Sequence, residues 1–266
     1  MKMLRPETYD DVTRIVMSTG ASRAIGYDVS AYFVRGVLID VGFPAVARDL
    51  ARWLTFARPS GAMITHHHED HAGNAELVAR AGIPMAASRA TLALLRAPAP
   101  LAFYRRAIWG TPRRLVTPIE PLADSGLAFV ATPGHAADHH VVWDAERETV
   151  FGGDLFLGVK VRAAHPEEDP RRLVDSVRAI AALRPTRLFD AHRGLVRSPE
   201  TALRAKADWL EAAIGTIDDR IDAGWSDRAI VRDVLGREEL SSYVSRGAMS
   251  KRNLVARVRA TRPAHA

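Results

Sequence analysis

Residues 65–73 read Thr65-His66-His67-His68-Glu69-Asp70-His71-Ala72-Gly73, and they continue a short apolar run, Gly61–Thr65, that has the character of a strand. In an extended segment, residues two apart point the same way. His66 and His68 therefore face one metal position together. Asp70 and His71 follow as the chain turns into a helix read over Ala72–Ala81, closed by Gly82 with Pro84 beyond. They face a second position nearby. Neutral imidazole and carboxylate are suitable ligands for zinc and related divalent ions. At this chain's own His and Asp frequencies, the H-x-H-x-D-H pattern arises by chance on the order of once in a thousand such chains. A merely solvated polar loop is the weaker reading.

Three further positions complete a ligand set. His135 lies in Thr132-Pro133-Gly134-His135, just after a strand read over Leu127–Thr132. Asp154 lies in Phe151-Gly152-Gly153-Asp154, after the strand Thr149–Phe151, and His192 follows the strand Thr186–Asp190. All four groups leave strand ends, and polar loops converging on one edge of a sheet make a site on a rigid scaffold. The other strands are Val12–Met17, Val29–Asp40 (broken by Gly36) and His140–Asp144, and helices are read over Ala45–Ala57, Arg89–Arg96 and Pro170–Leu183. Residues 88–121 are otherwise less regular, and the segment around Pro98, Pro100 and Pro112 reads as a loop. From Pro199 onward the helices Thr201–Ala223, Asp227–Leu235 and Ser250–Ala260 follow with no strand signal between them. The reading is an α/β body with a helical C-terminal module.

The segments Thr65–Gly73 (THHHEDHAG), Thr132–His135 (TPGH), Phe151–Asp154 (FGGD) and Ala191–Gly194 (AHRG) resemble the metallo-β-lactamase superfamily in order and spacing. The resemblance covers about residues 10–195. It implies an αββα sandwich as a catalytic domain over residues 1–195, with residues 196–266 as a C-terminal helical module. It also implies a ligand set. His66, His68 and His135 would hold one metal, Asp70, His71 and His192 a second, and Asp154 would bridge them. The cofactors implied are two divalent ions, zinc first, with iron or manganese as alternatives. Two such cations about 3.5–4 Å apart share a water, lower its pKa towards 7 and direct the bridging hydroxide at a carbonyl or phosphoryl centre. Asp70 would orient that hydroxide or take its proton, and His71 or a metal-bound water would help protonate the leaving group. Asp40 and His139 are expected to support the ligands from behind, with His67 in a similar part. His165 and Lys160 are candidate substrate contacts, and Lys160 and Arg162 suit an anionic one.

Within the superfamily, the THHHxDH form resembles hydroxyacylglutathione hydrolase, but that family's Gly-His-Glu-Tyr is here Ala191-His192-Arg193-Gly194. A compact helical tail resembles the β-lactamase-like 2 group, whose C-terminal part is winged-helix-like and some of whose members cleave RNA. The expected activity is hydrolysis of an ester, thioester or lactone-like small molecule. The alternatives are a phosphodiesterase or endoribonuclease of the same fold, and a mononuclear iron persulfide dioxygenase.

Composition narrows the field further. The 266 residues are 47% hydrophobic and 26% charged, which suits a globular chain and not a disordered one. The absence of cysteine removes disulfide scaffolds, thiolate ligands and a Cys nucleophile. The N-terminal MKMLRPETYD lacks the apolar run of a signal peptide, and no apolar stretch is long enough for a membrane span. The expectation is a cytoplasmic protein without a membrane partner. The net charge of +6 has a local origin, because residues 246–266 hold six basic and no acidic residues. The remaining 31 basic residues (37 less 6) balance 31 acidic ones. The basic helix Ser250–Val258 is therefore where a nucleic-acid partner is to be sought.

Overall fold

The apolar runs pair into two sheets. A computed structural model describes residues 3–24 and 26–263. The first sheet joins β1 (Met3–Tyr9), β2 (Val12–Ser18), β3 (Val29–Val34), β4 (Val37–Ile39), β5 (Gly61–Ile64) and β6 (Met85–Ala87) in sequence order. Helix α1 (Gly20–Ala24) follows β2, α2 (Ala47–Ala57) follows β4, and α3 (Glu69–Ala72) and α4 (Ala75–Arg80) follow β5. Helices α5 (Arg89–Arg96) and α6 (Phe103–Trp109) then lead to the second sheet. Its strands are β7 (Leu127–Ala131), β8 (His140–Asp144), β9 (Thr149–Phe151), β10 (Arg187–Asp190) and β11 (Gly194–Val196), in spatial order β11-β10-β9-β8-β7, with α7 (Pro170–Ala182) crossing from β9 to β10. The chain closes with α8 (Pro199–Asp222), α9 (Asp227–Ile230), a π-helical turn over Val231–Leu235, α10 (Leu240–Val244) and α11 (Lys251–Ala260).

Alternation along the strands builds four layers. Tyr32, Val34, Val37, Ile39 and Met63 of the first sheet meet Val142, Phe151 and Phe189 of the second between the sheets. Their neighbours in sequence face outward. Ala31, Leu38, Ala62 and Ile64 pack with Leu50, Leu54, Val78 and Trp109 of the helices on that side. Val141, Val150 and Leu188 pack with Val177 and Ile180 of α7, Leu203, Leu210 and Ile214 of α8, and Leu254, Val255 and Val258 of α11. With both faces buried, these strands read as unbroken apolar runs. The expected αββα sandwich is what forms, and the C-terminal helices share one core with its second sheet.

Some local expectations change. The helix expected over Ala72–Ala81 is interrupted at Gly73–Asn74. The Asn74 amide donates to the carbonyls of Val41 and Phe43 at 3.0 and 2.8 Å, which pins the segment onto the turn after β4. Strand β1 escapes the sequence reading because it carries Pro6 and charged residues, which an edge strand tolerates. Helix α6 stands where a loop is expected, and α10 stands between two expected helices. No strand occurs among the described residues after Val196, and no helix is long and apolar enough to cross a membrane.

The basic tail is largely engaged within the fold. Lys251 donates to the carbonyls of Leu235 and Arg237, Arg257 to that of Glu168, Arg259 to Asp227 and Arg262 to Asp222. Of these six cations, only the side chains of Arg246 and Arg252 have no such partner among the described residues.

Glu76, buried on α4, ties that helix to the segment before the second sheet. Its carboxylate accepts Arg80 Nε at 2.6 Å, the amides of Val116 and Thr117 at 2.9 and 3.1 Å, and Thr117 Oγ1 at 3.0 Å. Burial alone would raise its pKa, but these donors hold it down at about 2, against an ordinary 4.5. A carboxylate with a depressed folded pKa stabilises fully above its ordinary range and loses that contribution as pH falls. Glu76→Ala is therefore expected to cost about 2 kcal/mol at pH 7. In urea melts, the gap to the parent protein should close between pH 4.5 and about 2.

Candidate metal centre

The strands carry their polar residues to one edge of the sandwich. β5 delivers Thr65 and the His66–His71 cluster, the β7–β8 turn delivers His135, β9 delivers Asp154 and β10 delivers His192. Backbone bonds across the two sheets lock this edge: His140 N donates to Thr65 O at 2.9 Å, and Ser30 N to Ala191 O at 2.7 Å. Gly153 takes a positive φ of 50°. A Cβ there would lie 2.8 Å from His139 Nε2 and 3.0 Å from Thr65 Oγ1, so the close approach under the site requires glycine.

All seven sequence-predicted ligands come together in two sets. His66, His68, His135 and Asp154 offer ligand atoms within 4.8 Å of one another, and so do Asp70, His71, Asp154 and His192. Asp154 belongs to both. Its Oδ1 lies 3.2 Å from Nε2 of His71 and 3.2 Å from Nε2 of His192, while its Oδ2 lies 3.3 Å from Nε2 of His135. One carboxylate oxygen thus faces each set. Nε2 of His66, Nε2 of His71 and Oδ1 of Asp154 are buried without a hydrogen-bond partner. His68 Nδ1 and His135 Nε2 face each other at 3.1 Å. Buried lone pairs without donors are costly, and a bound divalent cation would relieve that cost. Burial, with the neighbouring rings, holds His66 and His68 well below the usual histidine pKa. They are neutral, as ligands must be. The donor set fits divalent metal.

A ring of acceptors orients the ligands. Asp40, at a left-handed φ of 58°, accepts Thr65 N at 2.9 Å, Thr65 Oγ1 at 2.9 Å and the His71 Nδ1 proton at 2.8 Å. That leaves Nε2 of His71 to point into the site. His192 is set the same way by Nδ1 donating to Asp28 O at 2.9 Å. His139 is fully buried, which pushes its pKa down to about 3. Its Nε2 accepts Asp154 N at 3.1 Å, so its proton sits on Nδ1 and goes to Thr132 Oγ1 at 2.8 Å. Asp190 accepts the amides of His192, Arg193 and Leu157. His67 turns away from the ligands and its Nδ1 meets Asp138 at 2.8 Å. Three partners had no sequence signal: Asp138, Glu168 at 3.3 Å from His135 Nδ1, and Arg105, which grips buried Glu69 through two bonds of 2.5 and 2.6 Å.

A cavity of about 580 Å³ opens over the site, lined by Asp70, His135, Asp154 and His192. The expected contacts His165 and Lys160 both line it, His165 half-buried and Lys160 exposed. The helical module reaches it as well. Lys206 of α8, 2% exposed, donates to the carbonyls of Phe156 and Gly158 at 2.6 and 3.3 Å, holding the loop that follows Asp154. Burial pushes its pKa down to about 8. Lys206→Met keeps the aliphatic stem and removes the donor. It is expected to cost about 1–3 kcal/mol of stability and to raise KM, with the metal content of the purified protein as in the parent.

The family model of the metallo-beta-lactamase superfamily matches residues 24–192. A probable metallo-hydrolase of Bacillus subtilis (strain 168), YybB, is 27% identical over 164 residues, which are 58% of this chain and 74% of that protein. A beta-lactamase-like protein 2 homolog of Caenorhabditis elegans is 36% identical over 66 residues, 25% of this chain and 21% of its own length. Among solved structures, the DIM-1 metallo-beta-lactamase superposes with a TM-score of 0.59 at 17% identity, over 79% of this chain and 98% of its own. A metallo-beta-lactamase family protein of Thermus thermophilus, TTHA1429, gives 0.60 at 16% identity, over 98% of this chain and 90% of its own. At those identities the likeness is one of fold. With the family model spanning the whole ligand array, from before β3 to His192, the chain belongs to the metallo-β-lactamase superfamily and is a metal-dependent hydrolase.

Proposed function

We propose that the protein is a two-metal hydrolase, loaded with zinc, that cleaves an ester, thioester or lactone-like small molecule. The observation that carries this reading is the placement of Asp154, with one carboxylate oxygen toward each ligand set. An all-nitrogen-and-oxygen donor set with imidazoles on both sides suits zinc. When bound, such ions acidify water towards neutral pKa and offset negative charge on the oxygen of the group under attack.

The chain's own residues divide the remaining work. Asp70 lines the cavity, with its Oδ2 3.6 Å from His192 Nε2, and is placed to hold the proton given up by the attacking water. His71 is fully buried and its Nδ1 is committed to Asp40. We therefore assign it to ligation alone and leave the proton to Asp70. In the overall reaction water adds to the carbonyl carbon, the C–O or C–S bond breaks, and the leaving atom takes a proton.

The test is metal analysis of protein purified without added metal, followed by a hydrolysis panel on the zinc-loaded form with thioesters, lactones, phosphodiesters and RNA. Two metal equivalents and turnover of the first two classes support the reading. Exclusive RNA cleavage, or a single iron with oxygen consumption, overturns it.

A further inference from the structure

The rim of the cavity has two kinds of side chain left without partners inside the fold. Lys160 and Arg162 stand on the loop after Asp154, exposed and with no ion pair or side-chain hydrogen bond among the described residues. Leu240 and Val244 of α10 are 76% and 56% exposed, yet both line the same cavity. Four residues apart on a helix, they share one face. Ile108 and Trp109 of α6 extend the apolar lining.

These two parts of the rim are one structure. Ala164, two residues after Arg162, pairs with Ser250 through reciprocal backbone bonds of 3.2 Å. The Asn253 amide holds the carbonyls of Ala164, Gly247 and Ala248 together at 2.8–3.2 Å. Glu238, just before α10, accepts Ser250 Oγ and the amides of Lys251 and Arg252. The segment carrying Leu240 and Val244 is thus anchored at both ends, and both residues line the cavity that the metal ligands also line. The charge balance of the lining is cationic. Arg105, Lys160, Arg162, Arg193 and Lys206 stand against Glu168 and Glu239, apart from the metal-binding carboxylates. An anchored apolar face beside unpaired cations, around a cavity with polar metal ligands in its lining, fits a ligand with both characters.

We propose that this rim selects an amphiphilic anion: an ester or thioester with an aliphatic group on one side of the scissile bond and a carboxylate or phosphate on the other. The aliphatic part lies against Leu240 and Val244, and the oxyanion meets Lys160 and Arg162. This rests on the hydrolase reading above and deepens it.

The test compares octanoyl and acetyl thioesters of 3-mercaptopropionate, 2-mercaptoethyl phosphate and neutral 2-mercaptoethanol. The octanoyl anions are expected to give the highest kcat/KM, and the carboxylate and phosphate arms show which oxyanion is preferred. In Lys160→Ala/Arg162→Ala, the anionic-to-neutral ratio is expected to fall ~10-fold, as for two solvent-screened ion pairs. In Leu240→Ser/Val244→Ser, two exposed positions, the octanoyl-to-acetyl ratio is expected to fall ~10-fold from lost apolar burial. Tryptophan-fluorescence titration with the non-cleavable thioether S-octyl-3-mercaptopropionate reads binding without turnover, and both variants should weaken it. Thioester turnover that ignores charge and chain length, or no binding of the thioether, overturns the proposal. Thioether binding weakened by both variants, with no thioester cleaved, upholds the rim and overturns the thioester part of the hydrolase reading instead.

Discussion

Asp154→Ala is expected to reduce hydrolysis by roughly 10³-fold, the scale on which a preorganised electrostatic group acts on a developing charge. On the two-metal reading proposed above, metal content should fall from two equivalents to one or fewer. The reason is positional. Among the described residues, Asp154 is the only side chain shared by the two ligand sets, so its loss removes one donor from each and the negative charge between them. Its neighbours His71, His135 and His192 would then face one another across a gap, with Asp70 the one carboxylate left in the two sets. The backbone contribution survives, because His139 holds the amide of residue 154 and not its carboxylate. Asp154→Asn separates charge from shape. It keeps the volume and one oxygen, and should still lose the second metal while its circular dichroism and melting match the parent. Elemental analysis with both variants decides the matter. Two full equivalents with unimpaired turnover would refute the role of Asp154 as the ligand shared by both sets.

Asp40→Ala should have the second-largest effect, without touching any metal. The Asp40 carboxylate, 3% exposed, collects Thr65 N, Thr65 Oγ1 and the Nδ1 proton of His71. Removing it leaves buried donors unpaired, at a cost of about 1–3 kcal/mol. It also places alanine at a left-handed φ that favours glycine, asparagine or aspartate. His71 then loses the acceptor that fixes its tautomer and points Nε2 at the site. Orienting partners of this kind are worth about 10–100-fold in metal affinity. Asp40→Asn tolerates the backbone and offers one acceptor oxygen where the carboxylate has two. It should therefore retain more stability than alanine while still weakening metal binding. Chelator competition and thermal melts separate the two effects. Equal metal affinity in all three proteins would show that Asp40 serves the turn alone.

The ligands were legible because each lies beside a strand end, where local rules apply. Period-two alternation puts His66 and His68 on one side, and the apolar runs before His135, Asp154 and His192 mark the ends that bring them together. Their supports are less legible. Asp40 and His139 are marked only by the family resemblance. The pairings of Asp138 with His67 and of Arg105 with Glu69 leave no mark in the sequence, since the partners lie 71 and 36 residues apart. No local pattern marks such pairs. Lys206 would read as an exposed helical lysine, and only the packing of α8 on the second sheet turns it inward.

The basic tail shows the same division from the other side. The sequence counts six cations and no acids in the last 21 residues, but not what they meet. In the fold four of them reach acceptors elsewhere in the chain, two of these being acidic side chains of α8 and α9. What the sequence determined alone is therefore local and chemical: strand against helix, and imidazole and carboxylate at strand ends. Tertiary structure decided which oxygen of Asp154 faces which set, which cations stay unpaired, and how α10 lies over the cavity. Those are distances between residues remote in the chain. They are set by the packing of two sheets and their helices, and no periodicity in the sequence records them.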